Sequence, residues 1–317
     1  LVRRVFEEHR AGGHLVTSPE EATSYSVNLA FPGRDRIILH CPGCNDSFKP
    51  SDINLELVKS ARLFHFGYPQ LLASFYSDSG ENLTSLFQSV QSSGVITSLD
   101  TAYPDPGSAA GSADWRDILI DVLPFVHVFV PSIEELSMMI RPKQYRDMCS
   151  EIGAEKFAED VSFDFIDSLA DEILDSGVAI LLIKCGTRGI YLRTREVSVP
   201  GISDPSAAQW SGRQLWHGAF DATVLNATGA GDCAVAGFLS AFLYGADPVT
   251  ALRVASISGW RNIRTQDTLS GIGMYTGLLD DAGRTDIPVI RPRLTDRWIA
   301  GEKPGEGIGP ADSGPRR

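Results

Sequence analysis

Short apolar runs alternate with amphipathic segments along most of this chain. The runs contain few polar residues, and the segments between them have the spacing of helices. They span residues 62–67, 94–100, 125–130 and 178–185. Strands that are apolar throughout are typical of a parallel sheet with both faces covered, and their alternation with helices favours the same arrangement. The pattern therefore predicts an α/β fold, with a mostly parallel sheet between two layers of helices.

The N-terminal part of the chain has a different pattern. Residues 15–17, 24–30 and 36–41 have the composition of strands, and the Pro-Gly-containing stretch 31–35 has that of a turn. We therefore expect a small β-region within residues 14–47, separate from the main sheet.

Three other stretches fall outside this alternation of strands and helices. Residues 141–157 are polar and are predicted to be an insert, and residues 196–211 are predicted to be a loop. Beyond Pro288 the chain is rich in Pro, Gly and charge, which is typical of disorder. The sequence thus predicts one domain over residues 1–290 and a disordered tail over residues 291–317.

The most informative stretch is residues 226–245. Its first half is small and glycine-rich, and its second half is apolar with helical spacing, which predicts a helix from near Asp232 to Gly245. A helix start has unpaired N–H groups and the positive end of the helix dipole, and both attract an anion. Gly229 and Gly231 allow the backbone to approach that anion closely.

Asp232 has two interpretations at this position. Beside a phosphate-binding loop, its carboxylate could accept the proton of an acceptor hydroxyl during phosphoryl transfer. Alternatively, Asp232 could be an ordinary helix N-cap that follows a tight glycine turn. The loop alone favours the two interpretations about equally.

The run Ala-Thr-Gly-Ala-Gly-Asp at 227–232, followed by a small apolar helix, closely resembles the second signature of the PfkB carbohydrate kinases, the ribokinase-like family. The resemblance implies ATP-dependent phosphorylation of a hydroxyl on a sugar or sugar-like molecule. It makes Asp232 the catalytic base, and it makes Gly229, Ala230 and Gly231 the anion hole. Thr228 then belongs to the nucleotide site.

The resemblance extends to the acceptor side. The β-region resembles the lid over the family's sugar site, and a homodimer through this lid is expected. Gly43-Cys44-Asn45 stands where the family often has Gly-Ala-Asn, so Gly43 and Asn45 are candidate substrate residues. From these residues alone an ordinary turn is favoured. Asp100, at the end of its predicted strand, matches a family Asp on the substrate side.

Glu135 is the candidate magnesium residue. Pro131-Ser132-Ile133-Glu134-Glu135 resembles the family's Pro-Asn-x-x-Glu, whose Asn and Glu help to hold magnesium and phosphates through water. Here Ser132 replaces the Asn. The same residues form the pattern of a capping box that opens a helix over 133–140. Glu135 could therefore serve only as a cap, or it could cap the helix and also take part in the metal site.

The remaining nucleotide candidates carry weaker signals. Gly186-Thr187-Arg188-Gly189, preceded by Lys184, resembles the family's Gly-x-x-Gly at the nucleotide, although a plain turn is favoured. Ser258 and Asn262 are candidates for the adenine pocket. The family usually has Asp-Thr where Asn226-Ala227 stand, and the lost carboxylate implies a weakened or absent potassium requirement.

Composition excludes several classes of protein. The formal charge of −12 argues against a general nucleic-acid binder, and no apolar run is long enough to span a membrane. No signal peptide is visible, and five scattered cysteines are typical of reduced thiols, so a cytoplasmic location is expected. Cys41-x-x-Cys44 has no second pair for a zinc site and is interpreted as a turn.

One part of the family pattern is not found. Family members begin with a strand and a Gly-Gly-x-x-x-Asn segment whose Asp and Asn bind the sugar, whereas this chain opens in a charged segment of helical pattern. We therefore expect a late start, at least one missing strand and poor substrate affinity. Two alternatives to a sugar kinase stay open: a nucleoside kinase on the same fold, and a catalytically impaired member that still binds nucleotide.

Overall fold

The computed structural model describes residues 2–11, 14–29, 37–202 and 204–314. Ten strands lie in this part of the chain. They are β1 (Tyr25–Leu29), β2 (Ile37–Cys41), β3 (Leu63–Phe66), β4 (Ile96–Leu99), β5 (Val128–Phe129), β6 (Ile180–Lys184), β7 (Ile190–Thr194), β8 (Gln214–His217), β9 (Ile299–Ala300) and β10 (Glu306–Ile308).

Fourteen α-helices lie in the same described residues, several with side-chain caps. Asn54, Ser132, Ser162 and Asp247 each accept a hydrogen bond from a backbone N–H in the first helical turn, which satisfies a donor that the helix leaves unpaired. The helices are α1 (Val2–Glu8), α2 (Leu55–Lys59), α3 (Ala73–Tyr76), α4 (Glu81–Ser92), α5 (Ala109–Ser112), α6 (Trp115–Val122), α7 (Ile133–Ile140), α8 (Pro142–Ile152), α9 (Phe157–Asp160), α10 (Phe163–Asp175), α11 (Asp204–Trp210), α12 (Ala230–Leu243), α13 (Pro248–Ile263) and α14 (Tyr275–Gly283).

Eight strands form the main sheet, in the order β3-β4-β5-β6-β7-β8-β10-β9. Neighbours from β3 to β6 are parallel, as the apolar runs predict. The remaining neighbours are antiparallel. Strand β7 returns from β6 through a tight turn, and β8, β10 and β9 each run antiparallel to the strand before them in the sheet. The α/β fold class is confirmed, and its parallel part is the half that the apolar runs encode.

Two hydrophobic clusters cover the two faces of this sheet. Alternate side chains of one strand enter different clusters: Leu181 lies in the first, and Leu182 lies in the second. Helices α4, α6, α7 and α10 supply the first cluster, whereas α12 and α13 supply the second. The result is a three-layer arrangement in which both faces of the sheet are buried from solvent.

The small β-region is a two-stranded antiparallel sheet of β1 and β2. Residues 15–17 were expected to form a further strand and do not, and the turn predicted at 31–35 lies outside the described residues. Tyr25, Val27 and Leu39 are exposed on this sheet. Such a surface suits a partner, and a homodimer through the lid stays a prediction.

Helices lie in two stretches for which the sequence predicted none. Helix α8 lies in the predicted polar insert, and α11 lies in the predicted loop at 196–211. Trp210 at the end of α11 is buried against Phe238 and Phe242 of α12, with ring centroids 5.7 and 5.0 Å apart. These contacts are remote in sequence, so the local pattern could not reveal them.

No helix in the described residues is long and apolar enough to cross a membrane.

The prediction of a disordered tail over 291–317 is wrong for the part that the structure describes. Strand β10 pairs with β8, and β9 pairs with β10, so the C-terminal segment extends the main sheet. Trp298 is buried in the first cluster. Farther on, the Asp312 carboxylate pairs with Arg213 Nε at 2.9 Å, with side chains only 4% and 8% exposed. The Pro- and Gly-rich composition reflects turns that return the chain to the sheet.

We expect Asp312→Ala to lower the free energy of unfolding by about 3 kcal/mol, because it leaves the Arg213 guanidinium buried without its carboxylate. Urea denaturation monitored by tryptophan fluorescence measures the change. Asp296→Ala, an exposed position in the same segment, is the control and should change stability by less than about 0.5 kcal/mol. Equal effects of the two changes would contradict the ordered C-terminal segment.

His217 makes stability depend on pH. Burial, followed by the nearby Arg253 guanidinium, lowers the pKa of His217 from 6.5 to about 3. Between these values the unfolded chain therefore binds one more proton than the folded chain. The free energy of unfolding consequently has its full value with respect to His217 above pH 6.5, and it decreases as pH falls toward 3.

Between pH 6 and 5, roughly, the free energy of unfolding should fall more steeply in the natural protein than in His217→Gln, by up to about 1.4 kcal/mol per pH unit. Urea denaturation across this range measures both slopes. His40→Gln, at an exposed histidine, should keep the natural slope.

Candidate active site

The carboxyl ends of the parallel strands and the start of α12 meet at one edge of the sheet. Tyr68 follows β3, Asp100 follows β4, Glu135 lies just after β5, and Lys184 ends β6. Parallel strands bring their carboxyl ends to the same edge, and this edge is where open α/β sheets bind ligands. Asp232 in the first turn of α12 completes the group.

Lys184 and Asp100 form an ion pair within this group. The Lys184 Nζ lies 2.8 and 3.1 Å from the two Asp100 carboxylate oxygens, and the side chains are 13% and 2% exposed. Burial alone would lower the pKa of Lys184, but the carboxylates of Asp100, Glu135 and Asp232 outweigh burial, and the pKa is raised. The lysine is therefore a fixed cation, and two residues predicted for opposite sides of the site belong to one pair.

The glycine loop lies against this cation. A Cβ added at Gly231 would be 3.9 Å from Lys184 Nζ, so the helix start and the ammonium face the same space. Gly229 has φ +81°, and a Cβ there would lie 3.0 Å from Thr268 Cγ2. Glycine is needed at this position for both its conformation and its close packing.

Asn226 orders the same loop. Its Oδ1 accepts a hydrogen bond from the Thr228 N–H at 2.9 Å, and its Nδ2 donates to the Gln266 carbonyl oxygen at 2.8 Å. An amide can do both at once, whereas a carboxylate can only accept. The departure from the family's usual Asp thus has a local structural role.

Asp232 does not cap α12. The N-cap is Gly229, with no side-chain cap, and Asp232 follows in the first turn. The N-cap interpretation of Asp232 is therefore wrong. Its exposed carboxylate instead accepts a hydrogen bond from the Tyr68 hydroxyl.

Tyr68 is the residue of this site that sequence reasoning missed. Its pKa is raised, first by burial and then by the hydrogen bond to Asp232 and the charges of Asp232 and Asp100. The available signal was its position directly after an apolar strand, at the edge where ligands bind.

Glu135 takes part in the predicted capping box. Its carboxylate oxygen accepts from the Ser132 N–H at 2.8 Å and from the Thr101 hydroxyl at 3.2 Å, and Ser132 Oγ accepts from the Glu135 N–H at 3.3 Å. Burial raises the pKa of Glu135, although Lys184 opposes this effect. The cap is real, and its carboxylate also belongs to the Lys184 cluster.

Contacts within the fold explain the residues found in the turn at 186–189. Gly189 has φ +111°, and a Cβ there would meet the His217 carbonyl oxygen at 2.0 Å. The Thr187 hydroxyl donates to Glu159 at 3.0 Å, and Arg188 donates to the carbonyl oxygen of Val161 at 2.6 Å. These contacts fit the plain-turn interpretation; roles of Gly186, Thr187 and Gly189 at a nucleotide stay predictions.

The two adenine candidates are buried behind the loop. Ser258 is 0% exposed, donates to the Val254 carbonyl oxygen at 2.8 Å and packs against Gly237. It supports the close contact of α12 and α13, and its place in an adenine pocket stays a prediction. Asn262 is 1% exposed and donates to the Thr268 carbonyl oxygen at 3.2 Å, so it holds the segment beside Gly229.

Gly43 and Asn45 form a short turn beside the lid. Gly43 has φ +50°, and a Cβ there would lie 2.4 Å from the Ala22 carbonyl oxygen, which explains the glycine. Asn45 is partly exposed. Its contact with a substrate stays a prediction.

Comparison with known proteins gives relatives that agree with one another. The model of the pfkB family carbohydrate kinases matches residues 14–270. An uncharacterized sugar kinase of Archaeoglobus fulgidus is 26% identical over 247 residues, which cover 76% of this chain and 77% of the relative.

Two solved structures illustrate the shared fold. A putative ribokinase II of E. coli, solved with ATP and Mg²⁺, superposes with a TM-score of 0.59 at 18% identity, covering 82% of this chain and 70% of the other. A nucleoside kinase of Burkholderia thailandensis, solved with inosine, gives 0.52 at 18% identity, with 83% and 71% covered. At these identities the likeness shows a ribokinase-like fold.

The family assignment thus rests on most of the chain. The matched residues include the glycine loop, Asp232 and the strand ends that surround them. The chain belongs to the pfkB family of carbohydrate kinases, phosphotransferases that act on an alcohol group.

Proposed function

We propose that the protein transfers the γ-phosphoryl group of ATP to a hydroxyl of a sugar or sugar-like small molecule, with Asp232 as the base. The observation that carries the proposal is the position of Asp232. Its carboxylate lies in the first turn of α12, where the backbone of Gly229–Gly231 and the ammonium of Lys184 face the same space. A proton acceptor thus lies beside a site for a phosphoryl anion.

The anion site works by electrostatics. The N–H groups of Gly229, Ala230 and Gly231 start a helix and stabilise the charge on the transferred phosphoryl oxygens. Lys184 adds a cation that its pair with Asp100 holds in place. Neither has to reorganise during the reaction, which is the condition under which such groups lower a barrier most.

The proton and the bond changes then balance. Asp232 takes the proton of the acceptor hydroxyl as its oxygen attacks the γ-phosphorus, and the bond from that phosphorus to the bridging oxygen breaks to release ADP. The base must lie within hydrogen-bond reach of the hydroxyl, so acceptor binding has to place that oxygen between Asp232 and the glycine loop.

Magnesium fits the donors near Glu135. The described residues hold no group of three or more His, Cys, Asp or Glu side chains that could bind a metal alone. Mg²⁺ is commonly held by one or two carboxylates together with phosphate oxygens and water, and Glu135 can supply such a carboxylate. When bound, the ion would neutralise charge that develops on the phosphates.

Asp232→Asn should reduce kcat for the best acceptor by at least about 100-fold, because the amide cannot take the proton. Binding of ATP with Mg²⁺, measured by calorimetry, should change little. Asp280→Asn, at an exposed position of α14, is the control and should keep natural turnover. Natural turnover in Asp232→Asn would remove the proposed base.

Gly229→Ala should lower kcat/KM by at least about tenfold, because the new methyl group pushes against Thr268 and displaces the loop. Gly94→Ala is a matched control, since Gly94 has φ +80° and nothing within 4 Å of the added Cβ. Gly94→Ala should lose about 1 kcal/mol of stability, measured by urea denaturation, for a left-handed non-glycine residue, and Gly229→Ala should lose at least as much. Equal kinetics in the two would contradict the role of the loop.

The acceptor class separates the alternatives. The fold is shared with a nucleoside kinase, so a panel should contain pentoses, hexoses and nucleosides such as inosine. Turnover with nucleosides alone favours the nucleoside kinase. Binding of ATP with Mg²⁺ but no turnover of any acceptor favours the catalytically impaired member.

A further inference from the structure

The hydrogen bond between Tyr68 and Asp232 joins two distant parts of the chain. The Tyr68 hydroxyl donates to Asp232 Oδ1 across 164 residues of sequence. It connects the end of the edge strand β3 with the first turn of α12. Tyr68 is partly exposed, and its hydroxyl contacts the carboxylate that the proposed function makes the base.

The backbone of Tyr68 has an unusual conformation that aims this side chain. Its φ and ψ are 62° and 52°, in the left-handed region that a bulky side chain rarely adopts. The surroundings hold it there: the Tyr68 N–H donates to the Asp100 carbonyl oxygen at 3.3 Å, and the Tyr68 carbonyl oxygen accepts from the Leu71 N–H at 2.9 Å. Backbone strain that the surroundings maintain is found mainly at functional sites.

The charges around the ring explain why a phenol is suited to this position. Burial and the nearby carboxylates raise the pKa of Tyr68, so its hydroxyl keeps the proton that it donates. A lysine or arginine here would stabilise the ionised carboxylate strongly and oppose its protonation during the reaction. A neutral donor orients the carboxylate and leaves it a better proton acceptor.

We propose that Tyr68 is a positioning residue that fixes Asp232 by its Oδ1 atom and leaves Oδ2 to face the acceptor hydroxyl. The inference rests on the proposed function, because it assigns Tyr68 a role that acts through the base. Tyr68 should therefore influence the rate of phosphoryl transfer and not the binding of nucleotide.

The kinetic test compares two changes that each remove only one phenol hydroxyl. Tyr68→Phe should lower kcat by about 10- to 100-fold while the KM for ATP with Mg²⁺ stays within about twofold. Tyr191→Phe is the matched control, because the Tyr191 hydroxyl also donates to a carboxylate, that of Asp167 at 2.8 Å, in another part of the fold. It should keep the natural kcat.

A double variant shows whether Tyr68 acts through Asp232. Tyr68→Phe in the Asp232→Asn background should cause no further loss of kcat, because the base that it positions is already absent. The same fold-loss in both backgrounds, or a natural kcat in Tyr68→Phe, would overturn the inference. Full turnover in Asp232→Asn would instead overturn the proposed function, so the two failures are distinguishable.

A second measurement needs no acceptor. In thermal unfolding, the Tm shifts of Tyr68→Phe and Asp232→Ala should not add in the double variant, because either change breaks the same hydrogen bond. Additive shifts would show that the hydroxyl and the carboxylate do not interact, and would overturn the inference even if no acceptor is turned over.

Discussion

The buried ion pair of Lys184 and Asp100 is the interaction around which the site is built. It joins the ends of two strands, β4 and β6, and places an ammonium beside Gly231 of the loop. A buried pair adds little net stability over an apolar one, but loss of one partner leaves an uncompensated charge at high cost. The pair therefore fixes the position of the Lys184 ammonium, because its movement away from the loop would leave the buried Asp100 carboxylate unpaired. The family resemblance assigns Lys184 to the nucleotide and Asp100 to the substrate, and it does not predict that the two side chains are paired.

Local patterns in the sequence predict much of the scaffold and part of the site. The apolar run at 62–67 becomes β3 at Leu63–Phe66, and the capping box of Ser132 and Glu135 forms as its spacing predicts. Such signals lie within a few neighbouring residues, so a single sequence contains them. The start of α12 near Asp232 is predictable for the same reason, although the sequence alone did not decide between base and N-cap.

Contacts between remote segments explain what the sequence could not predict. The pair of Arg213 and Asp312 spans 99 residues, and it orders a segment whose composition is typical of disorder. Tyr68 and Asp232 are farther apart still, and the left-handed backbone of Tyr68 breaks the usual preference of an aromatic residue. A preference that tertiary contacts override leaves no local signal, and here the override falls at the site.

The balance of charge at this edge of the sheet bears on the form in which a nucleotide would bind. Carboxylates of Asp100, Glu135 and Asp232 all act on Lys184, and together they outnumber this one cation of the cluster. A free nucleotide would bring more negative charge to this space, whereas one that carries a divalent cation brings less and supplies a partner for Glu135. The neutral Tyr68 hydroxyl fits the same balance, because it holds Asp232 without consuming the positive charge that the phosphates need. Under the proposed function, the carboxylate-rich edge would thus favour a metal-bound nucleotide over a free one.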